Sequence, residues 1–328
     1  MPTPRLNLRI GVVQLNPKIG QVQGNIKRAR ELCSKLQPKS LDLLCFPEMA
    51  FSGYVFENAT AISPHLEEPR VGPTSQFCAE LAKKLNCYVL AGYPEKLSDD
   101  EDKPPVLDAI PDPEQQLLDS TSTVTPGLPG SSSTQAVGAN SAVLYDPQGE
   151  WAGGYRKTNL YDTDKTWAKP GTGFATFHLP SPLQTVSLGI CMDLNTMPGT
   201  PWTSLEDGPY ELADYVIKNK AKVLVLLNSW LKSSQPQDLD DDGKNDWNTL
   251  EYWASRLRPL WAKDARGVGE GEGEETIVVV CNRSGTENGI TFAGTSSIFS
   301  MVRNSGRPKL LDMMERDEEG VRVWNITI

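Results

Sequence analysis

Three side chains capable of chemistry stand where apolar runs of this chain end. Glu48 follows Leu41 to Phe46 and Pro47, Lys157 closes a hairpin through Tyr155 and Arg156, and Cys191 ends the run from Val186 to Ile190. A thiol of ordinary pKa, about 8.5, is a weak nucleophile at neutral pH and needs a base or a cation beside it. The chain has only two histidines, His65 and His178, which disfavours a Ser/His or Cys/His triad and a zinc site. A carboxylate whose pKa is raised by burial can take the proton instead. A lysine beside the sulfur favours thiolate and, with the N–H of Met192, can hold a developing oxyanion. Taken singly, each residue has a plainer reading: Cys191 as a buried thiol, Glu48 as a surface carboxylate, Lys157 as a solvated hairpin end. Taken together, three such groups at strand ends describe an acyl-transfer centre without imidazole.

The elements that must position them follow from periodicity. Residues 6–15 alternate as a strand, and Ile26, Ala29, Cys33 and Leu36 recur at helical spacing. Leu41 to Phe46, Tyr88 to Tyr93 and Val223 to Leu227 are continuous apolar runs of strand length, as in sheets buried on both faces. Phe77, Leu81 and Leu85 mark a second helix, Tyr210 to Ile217 a third, and residues 245–265 a longer one carrying Trp247, Trp253 and Trp261 as packing residues. Ala139 to Tyr145 and Trp151 to Arg156 flank a Asp-Pro-Gln-Gly turn. Thr276 to Cys281 and Thr291 to Phe299 read as a hairpin, followed by short strands near Leu310 and Val321 to Ile326. The alternation of helices with buried strands predicts an α/β layered fold of parallel type. Residues 98–137 are rich in Pro, Ser, Thr, Asp and Gly. They are expected to form a disordered surface insertion between neighbouring strands of one domain spanning 1–328.

With 328 residues and a net charge of −10, the chain can bury a large core and is a poor partner for nucleic acid or an anionic membrane. Six cysteines without a Cys-x-x-Cys pair suit a reducing compartment. The opening Met-Pro-Thr-Pro-Arg lacks a signal core or presequence, so cytoplasmic, and also nuclear, localisation is expected. Asp238-Leu-Asp240-Asp-Asp242-Gly243 imitates the first half of a calcium loop. Thr249 stands where a bidentate glutamate is required, so an acidic solvated loop is expected and no metal.

Phe-Pro-Glu48, Tyr-Arg-Lys157 and Gly-Ile-Cys191-Met-Asp, in that order, resemble the Glu–Lys–Cys signature of the nitrilase (carbon–nitrogen hydrolase) superfamily. Arg9 to Pro17, Ser52-Gly53-Tyr54, Cys281 to Gly285 and Gly289 to Phe292 support the resemblance. It implies a four-layer αββα sandwich, no cofactor and a thioester mechanism. In that mechanism Glu48 is the base, Cys191 the nucleophile, and Lys157 with the Met192 N–H the oxyanion site. Asp164 occupies the place where many relatives carry a second glutamate. Residues 155–169 and 189–195 are most similar to the fungal branch that deamidates N-terminal Asn or Gln, feeding an N-degron pathway. A small-molecule amidase or carbamoyl-amine hydrolase of the same superfamily is the alternative, and a catalytically silent interaction protein is the rival from another class. For the expected peptide substrate a protonated α-amine needs an acceptor. Asp193 is the nearest candidate, with a structural cap on the following turn as its other reading. Asn228 is a polar partner from the neighbouring strand end, and Trp230 is expected to line the pocket. A homodimer is common among relatives.

Overall fold

The computed structural model describes residues 7–110, 134–234, 243–263 and 273–327. Two six-stranded sheets stack face to face. The first is built from Asn7–Gln14 (β1), Leu43–Cys45 (β2), Tyr88–Lys96 (β3), Gly138–Tyr145 (β4) and Trp151–Arg156 (β5). The second begins with Ala175–His178 (β6), Thr185–Ile190 (β7), Val223–Asn228 (β8) and Glu275–Asn282 (β9). A small separate hairpin, Thr286–Glu287 (β10) with Ile290–Thr291 (β11), precedes the return of Ser297–Val302 (β12) and Lys309–Met313 (β13) to the second sheet. Gly320–Thr327 (β14) crosses back and pairs antiparallel with β1 over its whole length. The helices are Val22–Leu32 (α1), Ala59–Ile62 (α2), Pro73–Leu85 (α3), Glu211–Lys218 (α4) and Trp247–Arg256 (α5).

Period-two alternation distributes the apolar strands between three layers of core. Leu8, Ile10, Leu43 and Cys45 of the first sheet meet Leu188, Ile190, Val225 and Val279 of the second. Their sequence neighbours face outward: Val13, Leu44 and Val89 pack with Ile26, Phe77 and Leu81 of α1 and α3. On the far side Leu224, Leu226 and Val278 pack with Leu212, Val216 and Trp253 of α4 and α5. Strands with both faces covered must be apolar throughout, which is why these runs show no alternation in the sequence. The result is the expected αββα sandwich.

Several details differ from expectation. The sheets are mixed: β1, β2 and β3 run parallel, as do β7, β8 and β9, while the outer strands pair antiparallel. β6 has only four residues, none of them fully buried, so it lacks an apolar run. The segment from Thr291 to Phe299 is not one strand; β12 pairs antiparallel with β9 after the β10–β11 excursion. α5 ends at Arg256 and a single 3-10 turn, Arg258–Leu260, follows. Pro259, lacking an N–H, cannot extend the α-helical ladder. Trp247 is not a core residue, being 41% exposed, whereas Trp253 is buried.

The two ends of the stretch read as disordered are in fact tied down. Val106 donates to the Thr134 carbonyl, Ala136 to that of Pro104 and Leu107 to that of Lys165. Leu97, Val106, Ala136 and Ala139 share a small apolar cluster. These few large apolar side chains are enough to anchor residues 98–110 and 134–137; residues 111–133 lie outside the described residues. So do Asp238, Asp240 and Asp242 of the calcium-like loop. Among the described residues, no helix is long and apolar enough to cross a membrane.

Candidate active site

The site lies where the ends of β2 and β5 in the first sheet meet the ends of β7 and β8 in the second. Glu48 follows β2, with its backbone pressed against β3. A Cβ at Gly92 would sit 2.6 Å from the Glu48 Cα, so only glycine permits that approach. Lys157 comes immediately after β5, its N–H donated to the Asn140 carbonyl of β4. Cys191 ends β7 at a left-handed turn, φ +45°, and opens the 3-10 turn Cys191–Leu194. A non-glycine residue held there is strained and persists only when its surroundings enforce it. Asn228, the last residue of β8, does so by accepting the Cys191 N–H at 3.1 Å.

Glu48, Lys157 and Asp164 have no exposed surface. Lys157 Nζ lies 2.7 Å from Glu48 Oε1 and 2.6 Å from Asp164 Oδ2. Asp164 is thus long enough to reach the ammonium from a 3-10 turn, Asp164–Thr166. Burial alone would push the Lys157 proton off, but Asp164 and Glu48 outweigh it and hold the side chain cationic. Burial raises Glu48 above the usual carboxylate range; Lys157 opposes the rise and Asp164 adds to it. Burial, and then the charge of Glu48, push the Cys191 thiol well up, against the pull of Lys157. At rest the sulfur therefore carries its proton, with a base of unusual basicity beside it. The Ser229 N–H donates to Glu48 Oε2 at 2.7 Å and also favours the thiolate of Cys191. One donor therefore serves both base and nucleophile.

Five further residues contribute, none of which the sequence assigned a role. Asn140 Nδ2 donates to Glu48 Oε1 at 2.7 Å and to Asp164 Oδ1 at 3.0 Å, bridging the two carboxylates. Its signal was a polar residue inside an otherwise apolar strand. Ser229 gave none, and Tyr54 stood only in the supporting Ser52-Gly53-Tyr54 segment; its hydroxyl reaches Asp164 Oδ2 at 3.3 Å. Arg283, fully buried, pairs with Glu287 at 2.8 Å, and Glu287 accepts the N–H groups of Tyr54 and Val55. That pair pins the loop beyond Glu48.

The Asp193 carboxylate is taken up by donors of the protein itself. One of its oxygens accepts the N–H groups of Thr158 and Asn159, the other the Ile190 N–H and the Tyr155 hydroxyl. It is fully buried, and four donors use its acceptor capacity. Its reading as an amine grip is corrected to the alternative: it caps the turn after β7 and ties the Lys157 loop to it. Burial, against those donors, pushes its pKa up to about 6.

Asn228 is buried, and its Nδ2 has no partner among the described residues. Trp230 lines a cleft of about 950 Å³ together with Met192, Asn195, Trp202, Tyr252 and Arg256. Among the described residues no cluster of His, Cys, Asp or Glu is arranged to hold a metal.

A stacked pair of mixed sheets with a buried Glu–Lys–Cys set at its seam defines a carbon–nitrogen hydrolase. Residues 9–112 match the carbon–nitrogen hydrolase family. The protein N-terminal amidase of Schizosaccharomyces pombe is 30% identical over 330 residues, covering 97% of this chain and 99% of that one. A solved N-terminal amidase with an Asn-Glu-Ala peptide superposes with a TM-score of 0.76 at 22% identity, covering 99% of this chain and 98% of that one. The same comparison with an N-terminal amidase holding a Gln-Val peptide gives 0.74 at 22% identity and the same coverage. The chain belongs to the carbon–nitrogen hydrolase family, as a relative of the fungal protein N-terminal amidases, and is a hydrolase of carbon–nitrogen bonds.

Proposed function

We propose that this enzyme converts N-terminal Asn, and Gln, of peptides or proteins to Asp and Glu with release of ammonia. The supporting observation is the ion triplet of Glu48, Lys157 and Asp164 packed without solvent against the strained Cys191 turn. Full-length similarity to an N-terminal amidase supports the choice of substrate.

In this reading Glu48 takes the Cys191 proton as sulfur attacks the side-chain amide carbon. Negative charge gathers on the amide oxygen, facing Lys157 and the Met192 N–H. The unpaired Nδ2 of Asn228 offers a further donor to bound substrate. Glu48 passes its proton to the departing nitrogen, which leaves as ammonia, and a thioester remains. Glu48 then deprotonates water, hydroxide adds to the thioester carbon, and collapse expels the sulfur, which regains its proton from Glu48. Asp164 and Asn140 keep Lys157 charged and aimed throughout. Trp230 forms a wall of the substrate cleft. The acidic N-terminus produced would feed an N-degron pathway, in the cytoplasm and also the nucleus, from a single-domain enzyme working as a homodimer.

Mass spectrometry of a peptide panel tests this. Peptides with free N-terminal Asn or Gln should gain one mass unit, and their N-acetylated forms should not, with Cys191→Ala inactive. Equal turnover of acetylated peptides, or faster turnover of free asparagine and other small amides, would sink the N-terminal reading.

A further inference from the structure

The two donors of the proposed oxyanion site come from different sheets. Lys157 follows β5 of the first, and Met192 follows β7 of the second. Stacked sheets meet through side-chain packing, and packing alone does not aim a peptide N–H. Asn159 supplies a directional link. It stands two residues after Lys157 and is only 2% exposed. Its backbone N–H is accepted by Asp193 Oδ1 at 2.8 Å. Its side-chain Nδ2 donates to the Met192 and Thr196 carbonyls, each at 2.9 Å. Both amide protons thus go to the segment that follows the nucleophile.

Met192 lies in the 3-10 turn that Cys191 opens. The first N–H groups of a helical turn have no partner inside it, so the turn itself does not aim the Met192 N–H. The peptide planes on either side are gripped from outside instead. Ahead of it, Asn228 Oδ1 accepts the Cys191 N–H at 3.1 Å. Beyond it, the Met192 carbonyl accepts from Asn159 and from the Asn195 N–H at 2.9 Å. Asn228 and Asn195 belong to the same half of the molecule as Met192. Asn159 belongs to the loop that carries Lys157, so its bonds fix one donor relative to the other.

We propose that Asn159 is a positioning residue that holds the Met192 N–H and the Lys157 ammonium in register, so that both meet the oxyanion together. The proposal rests on the Cys191 mechanism given above, because only there does charge develop between these two donors. A misplacement of about 1 Å can lower a rate about 10²-fold. A buried amide that never touches substrate can therefore govern the chemical step.

The test compares the parent enzyme with Asn159→Ala on an Asn-Gly-Gly peptide and on the same peptide with its terminal side-chain amide replaced by an aldehyde. The Cys191 sulfur bonds to the aldehyde carbon as its proton passes to Glu48; the carbonyl oxygen becomes the oxyanion and nothing leaves. In Asn159→Ala kcat should fall about 10²-fold with KM held, and affinity for the aldehyde should fall with kcat. Binding of the amide peptide in the Cys191→Ala background should be unchanged by Asn159→Ala. A merely structural role would weaken amide and aldehyde alike, or neither, and either result would overturn the proposal. Asn159→Asp, of the same shape but without the donor when ionised, supplies the same comparison should Asn159→Ala misfold. A crystal structure of the parent with the aldehyde reads the geometry without any substitution. Its oxyanion should accept from both Met192 N–H and Lys157 Nζ with the two Asn159 bonds kept; an oxygen turned away from Met192 would overturn the proposal. Failure of the underlying mechanism looks different: the parent itself would deamidate no peptide and would hold the aldehyde no better than the amide.

Discussion

At the floor of the site Glu48, Lys157, Asp164 and Asp193 have no exposed surface, while in the cleft that Met192 lines, Trp202, Leu205 and Tyr252 keep between 42% and 51% of theirs. The floor is polar and dry. Every charge there has a partner, because an unpaired buried charge costs several kcal/mol. The cleft wall is apolar and open to solvent. Chemistry and stability are therefore coupled at the floor, whereas the exposed rings are held by few buried partners.

Substitutions should separate the two regions. Cys191→Ala should lower turnover by about 10⁴-fold or more while melting close to the parent, since it removes only a sulfur from a mixed apolar environment. Lys157→Met should lower kcat by about 10³-fold through loss of an oxyanion donor. It should also destabilise the fold by about 3–5 kcal/mol, because Glu48 and Asp164 are left as facing buried anions. A melting curve that barely moved would show that the floor does not need its cation.

The base should report itself in the pH profile. Burial raises Glu48, and it acts only when ionised, so activity should fall as pH drops through a value above the ordinary carboxylate range. Asn140→Leu removes a donor to the ionised form, which should move that acid limb further up; an unmoved limb would leave Asn140 a packing residue. Asp193 gives a smaller, purely structural effect. Its pKa is pushed from 3.8 to about 6, so the folded state holds this proton more tightly than the unfolded one. Its contribution to stability is full below pH about 4 and is lost as pH rises through about 6, by about 3 kcal/mol. Denaturant titrations of the parent and Asp193→Asn across that range should diverge with this sign.

The reacting residues were legible because Glu48 and Cys191 follow apolar runs and Lys157 closes a hairpin, and a strand end is a readable address. The central sheets were legible for the same reason. β6 was not, since three half-buried residues and an exposed one leave no periodic trace. Asp164 and Asp193 are both carboxylates inside short 3-10 turns, and the sequence does not tell their roles apart. What separates them is the company they keep: Asp164 reaches the Lys157 ammonium, whereas Asp193 takes the N–H groups of Thr158 and Asn159 from a loop distant in the chain. Ser229 acquires meaning only when the two sheets close on each other, and Asn140 only when its strand lies beside the ends that carry Glu48 and Asp164.

The central claim is that Cys191, primed by Glu48 and Lys157, attacks the amide to form a thioester. Acid-quenched mass spectrometry of the intact enzyme during turnover of an Asn-Leu peptide tests it most directly. A labile adduct equal to the peptide less ammonia, mapped to Cys191 and absent from Cys191→Ala, is the expected result. Steady deamidation by the Cys191→Ala protein, with no adduct on the parent enzyme, would contradict it.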